Sequence, residues 1–181
     1  MFKNVAFTLI TLSFWLTAPF EASAQTKIVT HETSGNLEIT TQLECSPISK
    51  LSSSHTPADL YAGVAKCFKA ANYDHAAQMF AIAGAYGRFD EQRVANTTAH
   101  QAIQVLQLHA FEDLDDEVKG KFQDRAREFL SEGTQKFAEL PSDIKKIGAP
   151  TYCPRHMVQH GMKAFGPAQP NRGLDSRFQC D

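Results

Sequence analysis

The sequence predicts a mainly α protein: an antiparallel assembly of five or six helices with a short β-hairpin before them. Three observations carry this. Val118, Phe122, Ala126, Phe129, Gly133, Phe137 and Leu140 recur at steps of three and four, the period of a helix with one buried side. Thr56-Pro57-Ala58-Asp59 combines a capping hydroxyl, a first-turn proline and an acidic residue at the positive end of the helix dipole. Leu37, Ile39, Thr41 and Leu43 alternate with Glu38, Thr40 and Gln42 at the strand period.

The elements follow in chain order. Residues 1–24 read as a cleaved signal peptide. Lys3 gives a positive start and residues 5–16 an apolar run too short to span a bilayer comfortably. Ala22-Ser23-Ala24 then supplies the small residues a signal peptidase accepts. Removal after Ala24 leaves no membrane anchor and takes away Trp15, the only tryptophan. Residues 25–55 read as an N-terminal arm or hairpin and loop. Leu37, Ile39, Thr41 and Leu43 form one face of a strand, residues 27–33 its partner, and Ser34-Gly35-Asn36 the turn between them. Pro47 and a serine run mark a loop up to His55.

Residues 56–166 are expected to form the helical domain. The first helix runs over residues 57–70. The turn Asn72-Tyr73-Asp74 opens a second, which Gly87 stops. A third covers residues 90–111, with Val94, Thr98, Ala102, Val105 and Leu106 facing inward. A fourth runs from about residue 115 to Pro141, with Asp115, Asp116 and Glu117 at its positive end. A last helix starts at Pro154 and ends near Gly166, and residues 167–181 form an irregular tail held by a disulfide.

The four cysteines, Cys45, Cys67, Cys153 and Cys180, read as disulfides because an exported chain folds where thiols are oxidised. Three pairings are possible. Cys45 with Cys67 and Cys153 with Cys180 is the expected one, since each bridge would pin a loop-rich end to a nearby helix. The chain has 18 basic and 20 acidic residues, so it carries no basic footprint for nucleic acid or an anionic membrane surface.

The segment Tyr152-Cys153-Pro154-Arg155-His156-Met157-Val158-Gln159-His160 has the look of a metal site, with His156 and His160 one helical turn apart. Its neighbours argue otherwise. Arg155 and Lys163 repel a cation, and an oxidised Cys153 has no thiolate to offer. The stretch reads better as an amphipathic helix whose cationic face, Arg155, His156, His160 and Lys163, belongs to a binding surface. No metal and no cofactor are expected. Nor are the residue patterns of catalysis present: no nucleophile elbow, no Ser-x-x-Lys, no glycine-rich phosphate loop and no His-Glu-x-x-His. The acidic run Asp113, Asp115, Asp116 and Glu117 lacks the alternating ligands and central glycine of a calcium loop.

One stretch resembles a known family. In residues 58–87, Asn72-Tyr73-Asp74 followed by Ala76, Phe80 and Ala83 is similar to a single tetratricopeptide or Sel1-like repeat, with Tyr86-Gly87 at its exit. Gly63 and Val64 depart from the family pattern, and no second copy follows at the family spacing. The resemblance implies a helical hairpin that presents a groove to a protein or peptide. Tyr61, Tyr73 and Tyr86 would line that groove, because tyrosine offers contact area together with a hydrogen bond. The function expected is therefore non-catalytic binding of a protein partner in the cell envelope, by a periplasmic or secreted module. The alternative is an immunity or inhibitor protein that plugs an envelope-targeting toxin or hydrolase.

Overall fold

The computed structural model describes residues 35–157. Five helices account for most of them: α1 (Pro57–Lys69), α2 (Tyr73–Arg93), α3 (Gln101–Phe111), α4 (Asp116–Leu130) and α5 (Gln135–Ile147). Short 3-10 turns lie at Ile48–Lys50 and Thr97–His100. The protein is mainly α, built from antiparallel helical hairpins, as the sequence predicts. Helix α1 packs most extensively on α2 and then on α3; α4 packs on α2 and α5.

Local chemistry explains where the first helices start and stop. The Thr56 hydroxyl accepts from the Asp59 amide, and the Asp59 carboxylate accepts from the Thr56 amide, a full capping box. At the other end of α1, the Asn72 amide donates to the Cys67 carbonyl and the Ala71 amide to the Phe68 carbonyl. That Schellman pattern puts Ala71 at φ 52, where glycine is the usual occupant. Asn72 then caps α2 by accepting from the His75 amide. The turn between the helices is so short that α1 and α2 are held as a tight hairpin.

Helix α2 does not stop at Gly87. It continues to Arg93, and Gly87 is instead a point of close approach. A Cβ there would lie 3.0 Å from the Ile103 side chain of α3. Gly63 serves α1 in the same way: a Cβ on it would overlap Met79 Cε of α2. Ala76, Met79, Ile82 and Ala83 are fully buried along this contact. The small residues let two helix backbones approach closely.

Two of the expected long helices are each divided. The expected helix over residues 90–111 breaks after Arg93, where Val94 turns extended and Asn96 caps the 3-10 turn by accepting from the Thr98 amide. A short polar side chain that bonds its own backbone competes with helix there. Val94 and Ala102 are buried as expected and Leu106 with them, but Thr98 is exposed and Val105 only half-buried. The expected helix over residues 115–141 breaks between α4 and α5, where Gly133 takes φ 87. Thr134 restarts the chain as α5, accepting from the Phe137 amide and donating to the Glu128 and Ser131 carbonyls. Pro141 lies inside α5 and does not end it.

The arm before α1 is irregular. The strand expected over residues 37–43 is not formed: Leu37 has φ 56 and Ile39 is 41% exposed. The amides of this arm go elsewhere, those of Thr40 and Thr41 to the Asp59 carboxylate at 2.7 and 2.8 Å, and that of Leu37 to the His156 carbonyl at 3.0 Å. A buried acceptor on α1 has replaced the partner strand. The partner expected over residues 27–33 lies outside the described residues, as do residues 1–24, the tail and most of the expected last helix, whose described start, residues 154–157, is a turn and not helix.

A cluster of rings joins the two hairpins. Phe122 of α4 meets Phe68 of α1 at 5.1 Å, Phe111 of α3 at 5.2 Å and Phe80 of α2 at 5.4 Å, all edge-to-face. Cys45 and Cys67 form the expected disulfide, tying the arm to α1 across 22 residues of chain. Replacing both by serine is expected to lower stability by about 2–4 kcal/mol. A urea titration of the double variant with and without reductant checks this, and reductant should then have little further effect on the arm. Cys153 is disulfide-bonded as well, and its expected partner, Cys180, lies outside the described residues.

Candidate functional site

The last two turns of α2 organise the most unusual part of the structure. Tyr86, Phe89, Asp90 and Arg93 fall at spacings of three and four and so share one side of the helix. The chain returns to this side after α5, through Gly148 at φ 97 and on to Met157. Four anchors hold it there. The Tyr86 hydroxyl donates to the Gly148 carbonyl at 2.8 Å, and the Tyr152 hydroxyl to Asp90 Oδ2 at 2.8 Å. Arg93 donates to the Tyr152 carbonyl at 3.1 Å. Near the N-terminal loop, the Thr151 amide donates to the Ser53 carbonyl at 2.9 Å.

Arg93 is the hub. Its guanidinium pairs with Asp90 and lies over the rings of Phe89, at 4.9 Å, and Tyr152, at 5.4 Å. Asp90 has no exposed surface, and burial pushes its carboxyl up to about 6, against the opposing pull of Arg93 and the Tyr152 hydroxyl. Burial also pushes the Tyr152 phenol far up, with the Asp90 charge adding to it. His156 is 2% exposed and neither ring nitrogen has a hydrogen-bond partner. Burial pushes its imidazole down to about 3, while the Asp59 charge opposes the shift. His156 Nε2 sits 3.5 Å from Asp90 Oδ2, too long for a good hydrogen bond. With the imidazole held neutral, the contact is that of a dipole beside a carboxylate and not an ion pair.

Above this cluster lies a groove of about 280 Å³. Its floor is Ala85, Tyr86 and Phe89 of α2; its walls are Ile144 and Lys145 of α5 and the turn 148–150. The lining is almost wholly apolar, with one ammonium at the rim. Phe89 and the turn are fastened through the same Arg93 and Tyr86, so the buried polar groups set the shape of the apolar one.

The residues expected from sequence to form a binding surface are not brought together. Tyr61 is 3% exposed and Tyr86 1%, so neither lines a groove between α1 and α2. Tyr61 packs edge-to-face on Phe80 at 5.7 Å, and burial pushes its phenol up to about 12. In the alanine-rich hairpin Gly63 brings α1 close to Met79 of α2, and Tyr61 is buried. Tyr86 instead spends its hydroxyl on Gly148, beneath the groove between α2 and α5. Tyr73 is half-buried at the start of α2. His156 belongs to the core, not to a cationic surface, whereas Arg155 is exposed. His160, Lys163 and Cys180 lie outside the described residues. Among the described residues no group of three His, Cys, Asp or Glu side chains is placed to hold a metal ion.

Sequence reasoning gave no part in a buried polar cluster to Asp59, Asp90, Arg93 or Tyr152. One signal was available: Asp90 and Arg93 interrupt the small and apolar side of α2 at the ion-pair spacing of three. Among the described residues no helix is long and apolar enough to cross a membrane. Fold and site together define a small disulfide-bonded helical protein with an apolar groove over a buried ionic cluster. No family model, curated protein or solved structure matches the chain.

Proposed function

We propose that the chain is an exported, non-catalytic protein-binding module whose partner docks in the groove between α2 and α5. The groove carries this reading. A concave apolar surface of this size accepts one large side chain of a partner, and Lys145 at its rim favours a neighbouring carboxylate on that partner. The signal-like residues 1–24 and the Cys45–Cys67 bridge support a periplasmic or extracellular location. The hairpin resemblance to helical repeats supports protein binding as the class of function, although the groove used is not the one that resemblance implies.

Affinity capture of the mature protein from native periplasm, with mild cross-linking, tests the reading. Ala85→Trp fills the groove from its floor without touching the buried cluster, and Lys145→Glu reverses the rim. Each is expected to reduce the recovered partner about tenfold or more at unchanged thermal stability. A partner recovered equally by wild type and both variants would place binding elsewhere and sink the proposal. A stoichiometric toxin or hydrolase in the capture would turn the adaptor into an immunity or inhibitor protein acting through the same groove.

A further inference from the structure

Residues 46–56 connect Cys45 to α1, and Cys67 sits near the far end of that helix. The Cys45–Cys67 bridge therefore closes them into a loop; without it they are an overhang of α1. The Ile48 amide donates to Gln78 of α2 at 2.9 Å, and Leu51 is buried in the core. The loop then turns at residues 52–55, where the His55 amide donates to the Ser52 carbonyl. At this turn Ser53 meets the segment that returns after α5. Its carbonyl accepts from the Thr151 amide at 2.9 Å, and its hydroxyl lies 3.4 Å from that of Thr151. A Cβ on Gly148 would touch Ser53 Cβ at 3.9 Å. Gly148, Ala149 and Pro150 are a wall of the groove, fastened to α2 by the Tyr86 hydroxyl. The wall thus stands between α2 and a loop closed by a disulfide.

We propose that the Cys45–Cys67 bridge is a redox switch for the groove. Closed, it keeps Ser53 braced against the turn 148–150. Opened by a dithiol, it frees the loop and lets that wall move off α2, so the oxidised chain holds a partner and the reduced chain releases it. This rests on the reading that the partner docks in the groove. A loop pinned at both ends has fewer conformations to escape into than an overhang, so the bridge acts on Ser53 although it does not touch it.

The two sulfurs differ in access. Cys67 is fully buried, with its sulfur 3.8 Å from that of Met79, whereas Cys45 is half-buried. A thiolate of the dithiol therefore attacks Cys45 Sγ. The bridge breaks, and Cys67 leaves as a thiolate that takes a proton from solvent. The second thiol of the dithiol loses its proton and attacks the first, closing the dithiol into a disulfide. Cys45 leaves as a thiolate and is protonated in turn. The protein gains two thiols and the dithiol is oxidised.

Amide hydrogen exchange tests the switch. In a chain carrying Cys153→Ser and Cys180→Ser, Cys45–Cys67 is the bridge that remains, and dithiothreitol opens it alone. On reduction the amides of Gly148 and Thr151 should exchange about tenfold faster or more, at rates that change little with low urea. Indifference to urea marks a local opening, whereas the amides of Phe122 and Ala126 in α4 should keep the urea dependence of global unfolding. If that chain does not fold, Cys45→Ser with Cys67→Ser compared with wild type gives the same reading without reductant. Unchanged exchange at Gly148 and Thr151, or an acceleration that follows α4 in urea, overturns the proposal. No partner enters this measurement, so it can fail while capture through the groove succeeds, and the reverse. For a partner whose capture Ala85→Trp abolishes, the oxidised chain should retain about tenfold more than the reduced one. Equal retention overturns the switch and leaves the docking reading standing.

Discussion

Arg93→Met is expected to lower the stability of the protein by about 3–5 kcal/mol, the cost of leaving a buried charge without its partner. The guanidinium of Arg93 pairs with Asp90, donates to the Tyr152 carbonyl and lies over two rings, with its side chain 8% exposed. Methionine keeps most of the volume, so the loss comes from the charge and from the hydrogen bond to the Tyr152 carbonyl more than from packing. Asp90 would then keep only the Tyr152 hydroxyl as a donor. Its carboxyl should rise above about 6, so part of the loss returns when the protein is measured at pH 5. The double variant Asp90→Leu with Arg93→Met removes both charges and should recover most of the loss. Urea titrations with unchanged slope would give these numbers. A single variant as stable as wild type would show that the pair does not hold the segment 148–157.

Asp59→Ala is expected to cost about as much, on the order of 3–5 kcal/mol, for a different reason. The Asp59 carboxylate is fully buried and accepts from the amides of Thr40, Thr41 and Thr56 and from the Thr40 hydroxyl. Alanine strands three backbone donors at once and breaks the capping box of α1. Asp59→Asn keeps one carbonyl acceptor and should lose less than half as much. Hydrogen exchange locates the damage. The amides of Thr40 and Thr41 should lose protection first, with the arm leaving α1 before the helices open. If their exchange is no faster than that of the α1 amides in the variant, Asp59 is not what holds the arm.

These two residues mark where sequence reading stops. Thr56 and Asp59 were visible as a helix start, because capping is a matter of residues three apart. That the same carboxylate also gathers the arm nineteen residues earlier was not visible, since nothing local in Thr40 or Thr41 names its acceptor. The arm's alternating residues pointed to a strand for the same reason: alternation reports an extended chain and not its partner. His156 shows the opposite error. Beside Arg155 and one turn from His160 it looked like a surface residue, and the returning segment instead buries it against Asp90.

The helical hairpins, the first two helix starts and the Cys45–Cys67 pairing were legible without a structure. They rest on interactions between near neighbours and on the rule that an even set of cysteines in a chain expected to be exported pairs as disulfides. The interruptions at Asn96 and Gly133 carried weaker signals, because a cap or a glycine inside a periodic run breaks a helix only when packing rewards the break. The groove and the ionic cluster beneath it belong wholly to the tertiary structure. Tyr86 and Asp90 acquire their roles from Gly148 and Tyr152, each sixty-two residues away, and no periodicity extends that far. Helical period encodes which side of α2 is inside; only the returning chain decided that the inside would hold a charge.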